Sequence, residues 1–425
     1  MKYTLTAQER IYACIDLKCF YASVECVERG LDPFQVNLVV ADPARGRGAI
    51  CLAISPALKA LGVRNRCRLY EIPGYISYII AKPRMKLYMR YSANIYQLYL
   101  QYFAQQDIYV YSVDECFVDL TPYFSLYRMQ PKQIAKMLTD AVQRRFGLCS
   151  AAGIGTNIFL AKIALDILAK HMPDKIAYLD EASFKLQLWH HRPLTDFWNI
   201  GKGIAKRLAR YGLYDLYGVA HFEPKLLYKE FGVNAEYLLD HAWGRESCTI
   251  EEINNYRVKE HSISTSQVLF KDYQYADALI VLLEMAELLS LELVKKNLVC
   301  GAIGLTVKYS KDCRAATGGT RRLAQQTASY SLLTDNFKQL YLETVDKSAP
   351  IRKLSVSAGR LVRLWDVEQS LFADDAVEVK DRQVQKVVLN IKERFGKNML
   401  MRGRSYQDKA TGFLRNKLVG GHNGE

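Results

Sequence analysis

The sequence predicts an α+β protein built from several domains. Its 425 residues exceed what one ordinary hydrophobic core holds, so two to four domains are expected. Up to about residue 170, short apolar strand-like runs alternate with helical patterns, as in an α/β or α+β core with an antiparallel component. Residues 180–242 instead carry short helical segments broken by Gly and Pro, with no convincing strand. From Arg257 the order becomes strand, helix, strand, strand, helix, strand, which is a split ferredoxin-like unit.

Residues 11–15 read as the first strand, and 19–29 as a helix with Phe20, Val24 and Val27 on one side. The apolar runs 36–41 and 49–54 read as short buried strands. Pro56 suits the first turn of a helix that Gly62 closes. Residues 85–105 hold a long, Tyr-rich helical pattern. The run 108–113 reads as a strand leading straight into Asp114, and Cys116 to Leu120 continues it. A helix over 131–146 ends at Gly147, followed by a strand at 150–154 and a helix at 159–169. Further on, a helix is expected at 274–297, strands at 298–308 and 322–331, a helix at 333–345 and a strand at 352–362. Beyond 366 the chain is polar, with one helical pattern around 382–395.

The formal net charge of +14 points to a polyanionic partner, nucleic acid before membrane, with a merely basic protein as the alternative. Ten scattered cysteines show no CxxC and no zinc spacing, which fits buried thiols in a reducing compartment. Residues 1–10 are polar and lack a signal-peptide apolar stretch, and no apolar run is long enough to span a bilayer. A soluble, cytoplasmic protein with no membrane partner is therefore expected.

Two short acidic runs stand where strand patterns end: Ile15-Asp16-Leu17 and Tyr111-Ser112-Val113-Asp114-Glu115. Buried carboxylates are costly unless paired or metal-bound. Together Asp16, Asp114 and Glu115 are able to hold two divalent cations, an arrangement that serves phosphoryl transfer. The Leu17 carbonyl adds a hard oxygen ligand, because side chains alternate along a strand. The competing reading of Asp114-Glu115 is a plain turn. Asp119 is read as capping the Thr121-Pro122 turn. The helix start after Asp16 suits a phosphate, with Phe20 and Tyr21 either against a nucleotide or in the core. The run Gly153 to Lys162 is a strand, a glycine turn and a helix, a weak phosphate signal. Phe197 to Leu208 contains Gly201-Lys202-Gly203, whose N–H groups suit a DNA phosphate; an ordinary αα-hairpin is equally open.

With these residues in hand, the chain resembles the Y-family (translesion) DNA polymerases, most closely their bacterial UmuC-like branch. The matching segments are Asp16 to Glu25, Gly48 to Gly62, Tyr111 to Thr121, Gly153 to Lys170 and Asn199 to Leu213. Ser262 to Gln267 and Arg352 to Ser357 resemble the first and last strands of the family's little finger. The resemblance implies that Asp16, Asp114 and Glu115, with the Leu17 carbonyl, bind two Mg²⁺, for which Mn²⁺ can substitute. It implies that Tyr21 is the gate that excludes a ribose 2′-OH and that Phe20 lies against the incoming nucleotide. Lys162, and more weakly Lys59, would contact the triphosphate; Ser55-Pro56-Ala57-Leu58 departs from the family's pattern around Lys59. DNA contacts are implied for Ile200, Gly201, Lys202, Gly203 and Lys206, and for Ser264, Ser266, Lys353, Ser355 and Ser357. Glu368-Gln369-Ser370-Leu371-Phe372 is similar to a sliding-clamp-binding pentapeptide, with Glu in place of the usual Gln.

The implied architecture is a right-hand polymerase. The expected palm, ferredoxin-like, is 1–18 plus 82–172, the fingers 19–81 and the all-α helix-hairpin-helix thumb 173–242. A linker at 243–254, an α/β little finger at 255–363 and a tail at 364–425 follow. The expected function is template-directed DNA synthesis of low fidelity past damaged bases, by a monomer using dNTPs and primer-template DNA. Accessory subunits and damage-inducible (SOS) expression are family expectations. The alternatives are a catalytically silent DNA-binding protein of the same fold and a two-metal nuclease or cyclase on a similar palm.

Overall fold

Apolar residues on both faces let β1 (Tyr12–Leu17) sit in the middle of a sheet with both faces covered. The structure is a computed structural model and describes residues 10–257, 261–310, 313–367 and 376–424. The chain divides after Arg257 into two compact units, each described by itself below.

In the first unit α1 (Phe20–Val27) leads to a small sheet of β2 (Leu38–Val40), β3 (Ala53–Ile54) and β4 (Ile79–Ala81), in the order β3-β2-β4. The short α2 (Pro56–Ala60) follows β3; Ser55 caps it and Pro56 opens it. α3 (Met85–Tyr99) ends six residues short of the expected 105, where the chain turns through Leu100 to Phe103. β5 (Ile108–Val110) and β6 (Glu115–Asp119) pair antiparallel. The expected continuous strand from 108 to 120 is therefore a hairpin, and 111–114 is its turn. Asp119 Oδ1 accepts the Thr121 N–H at 2.9 Å, as a cap should.

After α4 (Phe124–Tyr127), α5 (Pro131–Phe146) starts at Pro131 and stops at Gly147, which takes the left-handed conformation (φ 68°) that most residues avoid. β7 (Ser150–Gly155), α6 (Ile158–Ile163) and β8 (Ile176–Leu179) complete a five-stranded sheet in the order β5-β6-β1-β7-β8. Its last strand lies beyond residue 172, the expected palm boundary, because β8 pairs in parallel with β7. Alternation along β1 sends Tyr12 and Cys14 into one core with α6, while Ile15 and Leu17 face Ile95 and Tyr99 of α3.

That core also takes the buried sides of α7 (Glu181–Leu188), α8 (Lys202–Ala209), α9 (Leu216–Ala220), α10 (Pro224–Phe231) and α11 (Asn234–Ala242). The expected linker 243–254 contains a helix, α12 (Ile250–Asn255). Thr249 and Glu252 cap it reciprocally, and the Asn254 amide reaches the carbonyls of Gln106 and Ile108.

The second unit is β9 (Ser262–Tyr273), α13 (Tyr275–Lys295), β10 (Leu298–Tyr309), β11 (Thr317–Thr327), α14 (Tyr330–Thr344) and β12 (Ile351–Arg363). Its sheet order β11-β10-β12-β9 is fully antiparallel, and α13 and α14 pack on one face. β11 starts earlier than the expected 322 because Gly318, at φ 118°, lets the strand approach the Leu305 carbonyl, where a Cβ would sit 2.1 Å away.

The expected polar tail is folded where it is described. α15 (Ala376–Phe395) is followed by α16 (Gly412–Asn416), β13 (Leu418–Val419) and β14 (His422–Asn423). Polar residues tie this segment to the helical face. The buried Glu284 accepts the N–H groups of Thr411 at 2.9 Å and Gly412 at 3.1 Å. A Cβ at Gly412 would lie 2.6 Å from Glu284 Oε1, so a larger residue would push that carboxylate off the two N–H groups it accepts from. Arg402 stacks over the Tyr330 ring at 3.4 Å. A helical pattern of polar residues reads as a tail in sequence, but here it covers a face through charge and stacking.

Glu284→Ala would leave two buried N–H groups without an acceptor, at a cost of about 1–3 kcal/mol. Denaturant unfolding is expected to shift accordingly. Limited proteolysis is expected to cut 376–424 faster in the variant than in the wild type.

Candidate active site

Strand register brings the first carboxylates together. Asp16 on β1 lies opposite Glu115 on β6, on the face that meets α6. The Leu17 N–H donates to the Asp114 carbonyl at 3.0 Å, which fixes the turn against the end of β1. Ser112 orders that turn. Its hydroxyl donates to Asp114 Oδ1 at 2.8 Å and accepts the Glu115 N–H at 3.1 Å. Asp114 ends the turn and Glu115 opens β6, and the hairpin carries both to Asp16.

α6 and the π turn that follows it (Ala164–Leu168) supply the counter-charge. Lys162, Asp166 and Lys170 recur at four-residue spacing and so share a side. Lys162 Nζ lies 2.6 Å from Glu115 Oε1 and 2.9 Å from Asp166 Oδ2. Lys170 Nζ lies 2.8 Å from Asp166 Oδ1 and 2.9 Å from Asp16 Oδ2. Charges thus alternate along Glu115–Lys162–Asp166–Lys170–Asp16. Burial works against both ammonium groups, but neighbouring carboxylates, Asp166 and Glu115 for Lys162 and Asp16 and Asp166 for Lys170, hold them firmly protonated. Asp16 is less well compensated. Burial pushes its carboxyl up to about 6; Lys170 opposes this, and Glu115 and Asp114 add to it.

These groups open on a cavity of about 880 Å³. Asp16, Leu17, Phe20, Tyr21, Lys59, Asp114 and Glu115 all line it, so the structure brings most of the expected site residues together. Lys162 does not line it. Its side chain is 6% exposed and engaged with Glu115 and Asp166. The ammonium that does reach the cavity beside the carboxylates is Lys170, which the motif reading passed over. The repeat Lys162, Asp166, Lys170 was the available signal, but spacing alone does not say which lysine is buried against Glu115 and which reaches the cavity. Arg66 was also missed. It lines the same cavity in a left-handed conformation (φ 61°), with its N–H on Asn65 Oδ1.

Tyr21 is held from behind. Its ring stacks on Tyr88 with centroids 4.5 Å apart and planes 15° apart. The Tyr88 hydroxyl donates to Glu25 Oε1 at 2.7 Å. Glu25 is fully buried and also takes two hydrogen bonds from Arg84, at 2.9 and 2.8 Å, and an ion pair from Arg29. Burial alone would raise its pKa, but Arg84, Arg29 and Tyr88 bring it below the usual value.

Glycines separate structural from accessible motifs. A Cβ at Gly153 would lie 2.1 Å from Leu165 N, and one at Gly155 would lie 2.3 Å from Ala161 N. The glycine turn before α6 is thus needed for helix–sheet packing, not for a phosphate. A Cβ at Gly201 or Gly203 would meet nothing within 4 Å, and neither glycine has a positive φ. The fold does not demand glycine there, and the exposed N–H groups at the start of α8 are open to a close partner. Lys202 and Lys206 are exposed beside them, whereas Ile200 is buried and offers only backbone.

In the second unit the sheet face away from α13 and α14 is small and polar. Ser264 pairs with Ser357, and Ser266 with Ser355, across β9 and β12. Ser264, Ser355 and Ser357 line an open cleft of about 530 Å³ with Gly304 and Thr306. Lys353, partly exposed, lies along the same strand. Residues 368–372 lie outside the described residues.

The donor set fits hard divalent cations: carboxylates of Asp16, Asp114 and Glu115 and the Leu17 carbonyl around one cavity. Among the described residues no group of three or more His, Cys, Asp or Glu side chains is placed to hold a metal ion by itself. Magnesium-type sites need none, since one or two carboxylates and substrate phosphates suffice. Burial first, and the nearby Glu115 and Asp114 last, raise the Asp16 pKa against the pull of Lys170. No helix among the described residues is long and apolar enough to cross a membrane.

Comparisons with known proteins converge. The family model described as the impB/mucB/samB family matches residues 15–166, and that of its C-terminal domain matches 260–371. A Bacillus subtilis protein described as putative UV-damage repair protein UvrX is 32% identical over 414 residues, covering 96% of each chain. DNA polymerase IV 2 of Bacillus subtilis is 31% identical, covering 98% of this chain and 99% of its own. DNA polymerase IV of Clostridium acetobutylicum is 25% identical over 90% of this chain and 94% of its own. The solved structure of a Y-family DNA polymerase chimera, Dbh-Dpo4(243-245)-Dbh, shares the fold. The TM-score is 0.63 at 18% identity, over 83% of this chain and 99% of that one.

Lys162→Met would leave Glu115 without its cation and Asp166 with Lys170 alone, and is expected to cost about 1–3 kcal/mol in denaturant unfolding. Asp16 sets a pH dependence. Its folded pKa, about 6, lies above the ordinary aspartate value. The folded state therefore holds the extra proton between about pH 4 and 6, and stability falls as pH rises through that window. In metal-free protein this contribution is expected in the wild type and not in Asp16→Asn, and divalent cation affinity is expected to weaken as pH falls below about 6.

Proposed function

The chain belongs to the impB/mucB/samB family and is a Y-family DNA polymerase, and on that premise we propose how its site works. It extends a primer on a DNA template with dNTPs and synthesises past damaged bases. The observation that carries the mechanism is the register setting Asp16 opposite Glu115, with Asp114 and Tyr21 on the same cavity.

Asp16, Asp114, Glu115 and the Leu17 carbonyl would hold two Mg²⁺, or Mn²⁺ in their place. When bound, such ions activate the attacking hydroxyl and neutralise charge on the leaving phosphate. Lys170, Lys59 and Arg66 face the same space and would take the triphosphate. Tyr21 would close the space beside the sugar, where a 2′-OH would collide with a ring that Tyr88 keeps from yielding. Phe20 forms wall next to it and is itself nearly buried. Lys162 would act through Glu115, as a positioning residue.

The segment between β1 and α3 is short and provides no large closing lid, which favours tolerance of distorted bases over discrimination by closure. The open N–H groups at Gly201 to Gly203, with Lys202 and Lys206, suit a DNA phosphate. The small polar sheet face at Ser264, Ser266, Lys353, Ser355 and Ser357 suits a second stretch of backbone. In the proposed division the first unit holds palm, fingers and thumb and the second the little finger. A sliding clamp at Glu368 to Phe372, accessory subunits and a monomeric state complete the reading.

Primer extension with Mg²⁺ tests it. Asp114→Ala is expected to lose on the order of 10³-fold in rate with DNA binding retained. A wild type that binds primer-template but never extends it would favour the silent DNA-binding reading. Tyr21→Ala is expected to raise the ribonucleotide share of incorporation by about tenfold or more. Lys170→Met is expected to raise the dNTP KM without the stability loss of Lys162→Met. A wild type that stops at every template lesion would sink the damage-tolerance reading.

A further inference from the structure

An antiparallel bridge joins Ile50 and Arg68. The Cys51 N–H donates to the Cys67 carbonyl at 2.8 Å, and the Leu69 N–H donates to the Ala49 carbonyl at 3.0 Å. Cys51 and Cys67 therefore oppose one another one step beyond the bridge, with side chains on the same face. Both lie against one apolar cluster that includes Val39, Ile54 and Leu58. Opposed residues of such a pair have Cα atoms about 5.5 Å apart, inside the ~4.4–6.8 Å that a disulfide spans. Both are free thiols in this structure.

We propose that Cys51 and Cys67 are a modification site: a thiol pair that a hydroperoxide oxidises to a disulfide, tying together the base of the segment that walls the catalytic cavity.

The two cysteines differ in access. Cys51 is fully buried, and its thiol is pushed up to about 12 by burial first and then by Cys67 and Glu71. Cys67 is only partly buried and opens on a separate cleft of about 460 Å³ with Arg64, Asn65 and Glu71. Cys67 is therefore the entry point. Its sulfur attacks the O–O bond of hydrogen peroxide, becomes a sulfenic acid and releases one water. The Cys51 sulfur then attacks that sulfur, the S–S bond forms, and hydroxide leaves with the thiol proton as the second water. The two thiols lose two electrons and two protons, and the peroxide is reduced to two waters.

The tie has a place to act. Between the two cysteines run Leu52 to Arg66, including α2. Ile54, Lys59, Asn65 and Arg66 of this segment line the cavity that holds Asp16 and Tyr21. A covalent link at its base restrains the wall that carries two of the cavity's cations. The link does not depend on the polymerase reading; its effect on turnover does.

The full-length protein would be treated with hydrogen peroxide, alkylated, digested and analysed by mass spectrometry. A peptide pair joined through Cys51 and Cys67 is expected, and dithiothreitol should abolish it. Phenylarsine oxide, which bridges close dithiols, is expected to bind the reduced protein and not the oxidised one. Cys67→Ser should remove both signals while extending primers like the reduced wild type. Cys51→Val serves as the second variant should Cys67→Ser not fold. In the oxidised wild type the dNTP KM is expected to change by about threefold or more and to recover with dithiothreitol. No Cys51–Cys67 peptide at a dose that oxidises the exposed Cys313 would overturn the site. A KM change that persists in Cys67→Ser would overturn its role in turnover. A link that forms in a protein without extension activity would support the site and count against the polymerase reading alone.

Discussion

Two carboxylates set opposite one another on neighbouring strands must have their charge held, and most of the first unit serves that need. Asp16 and Glu115 face each other because β1 and β6 are in that register. Their repulsion is tolerated because Lys162, Asp166 and Lys170 run past them as an alternating row. The row needs α6 close to the sheet. The helix comes close only because residues 153 and 155 have no Cβ. Cation compensation, helix packing and glycine placement are one constraint seen at three levels.

The compensation is uneven along the row. Lys162 is sealed against Glu115, whereas Lys170 stands at the cavity with its charge shared between Asp16 and Asp166. An ammonium that is half-exposed beside an under-compensated carboxylate is suited to exchange partners when cations and phosphates arrive. A fully buried one is not, since freeing it costs desolvation twice. The same division appears around Tyr21. One face is open to the cavity, and the other is fixed through Tyr88 to a buried Glu25 clamped by two arginines.

Smallness of side chain carries a different meaning at each place. At Gly153, Gly155 and Gly412 a Cβ would strike protein atoms, so the residues answer to the fold. At Gly201 and Gly203 it would strike nothing, so packing does not require glycine there. The serines face one another across β9 and β12 on a small, open strand face.

Much of this was legible in the chain itself. The β-α-β-β-α-β order of 257–363, the helix 131–146 with its Pro and Gly ends, and the place of Asp16, Asp114 and Glu115 at strand ends all follow from local pattern. Local pattern suffices there because periodicity, capping and strand termination act over a few residues. The hairpin at 111–114 was misread as continuous strand because a short turn of Tyr, Ser, Val and Asp carries no Gly or Pro to announce it. The choice of Lys170 over Lys162 as the cavity's cation was decided only in three dimensions. Both lysines pair with Asp166, yet only Lys170 reaches the cavity, and their spacing along the chain does not distinguish them. The covering of the helical face by 376–424 was also hidden, because Glu284 and the Thr411-Gly412 backbone that it accepts from are more than a hundred residues apart. Sequence determined which chemical groups the protein has and where strands and helices begin. Tertiary structure decided which of them face one another, because burial and charge pairing are properties of space rather than of order along the chain.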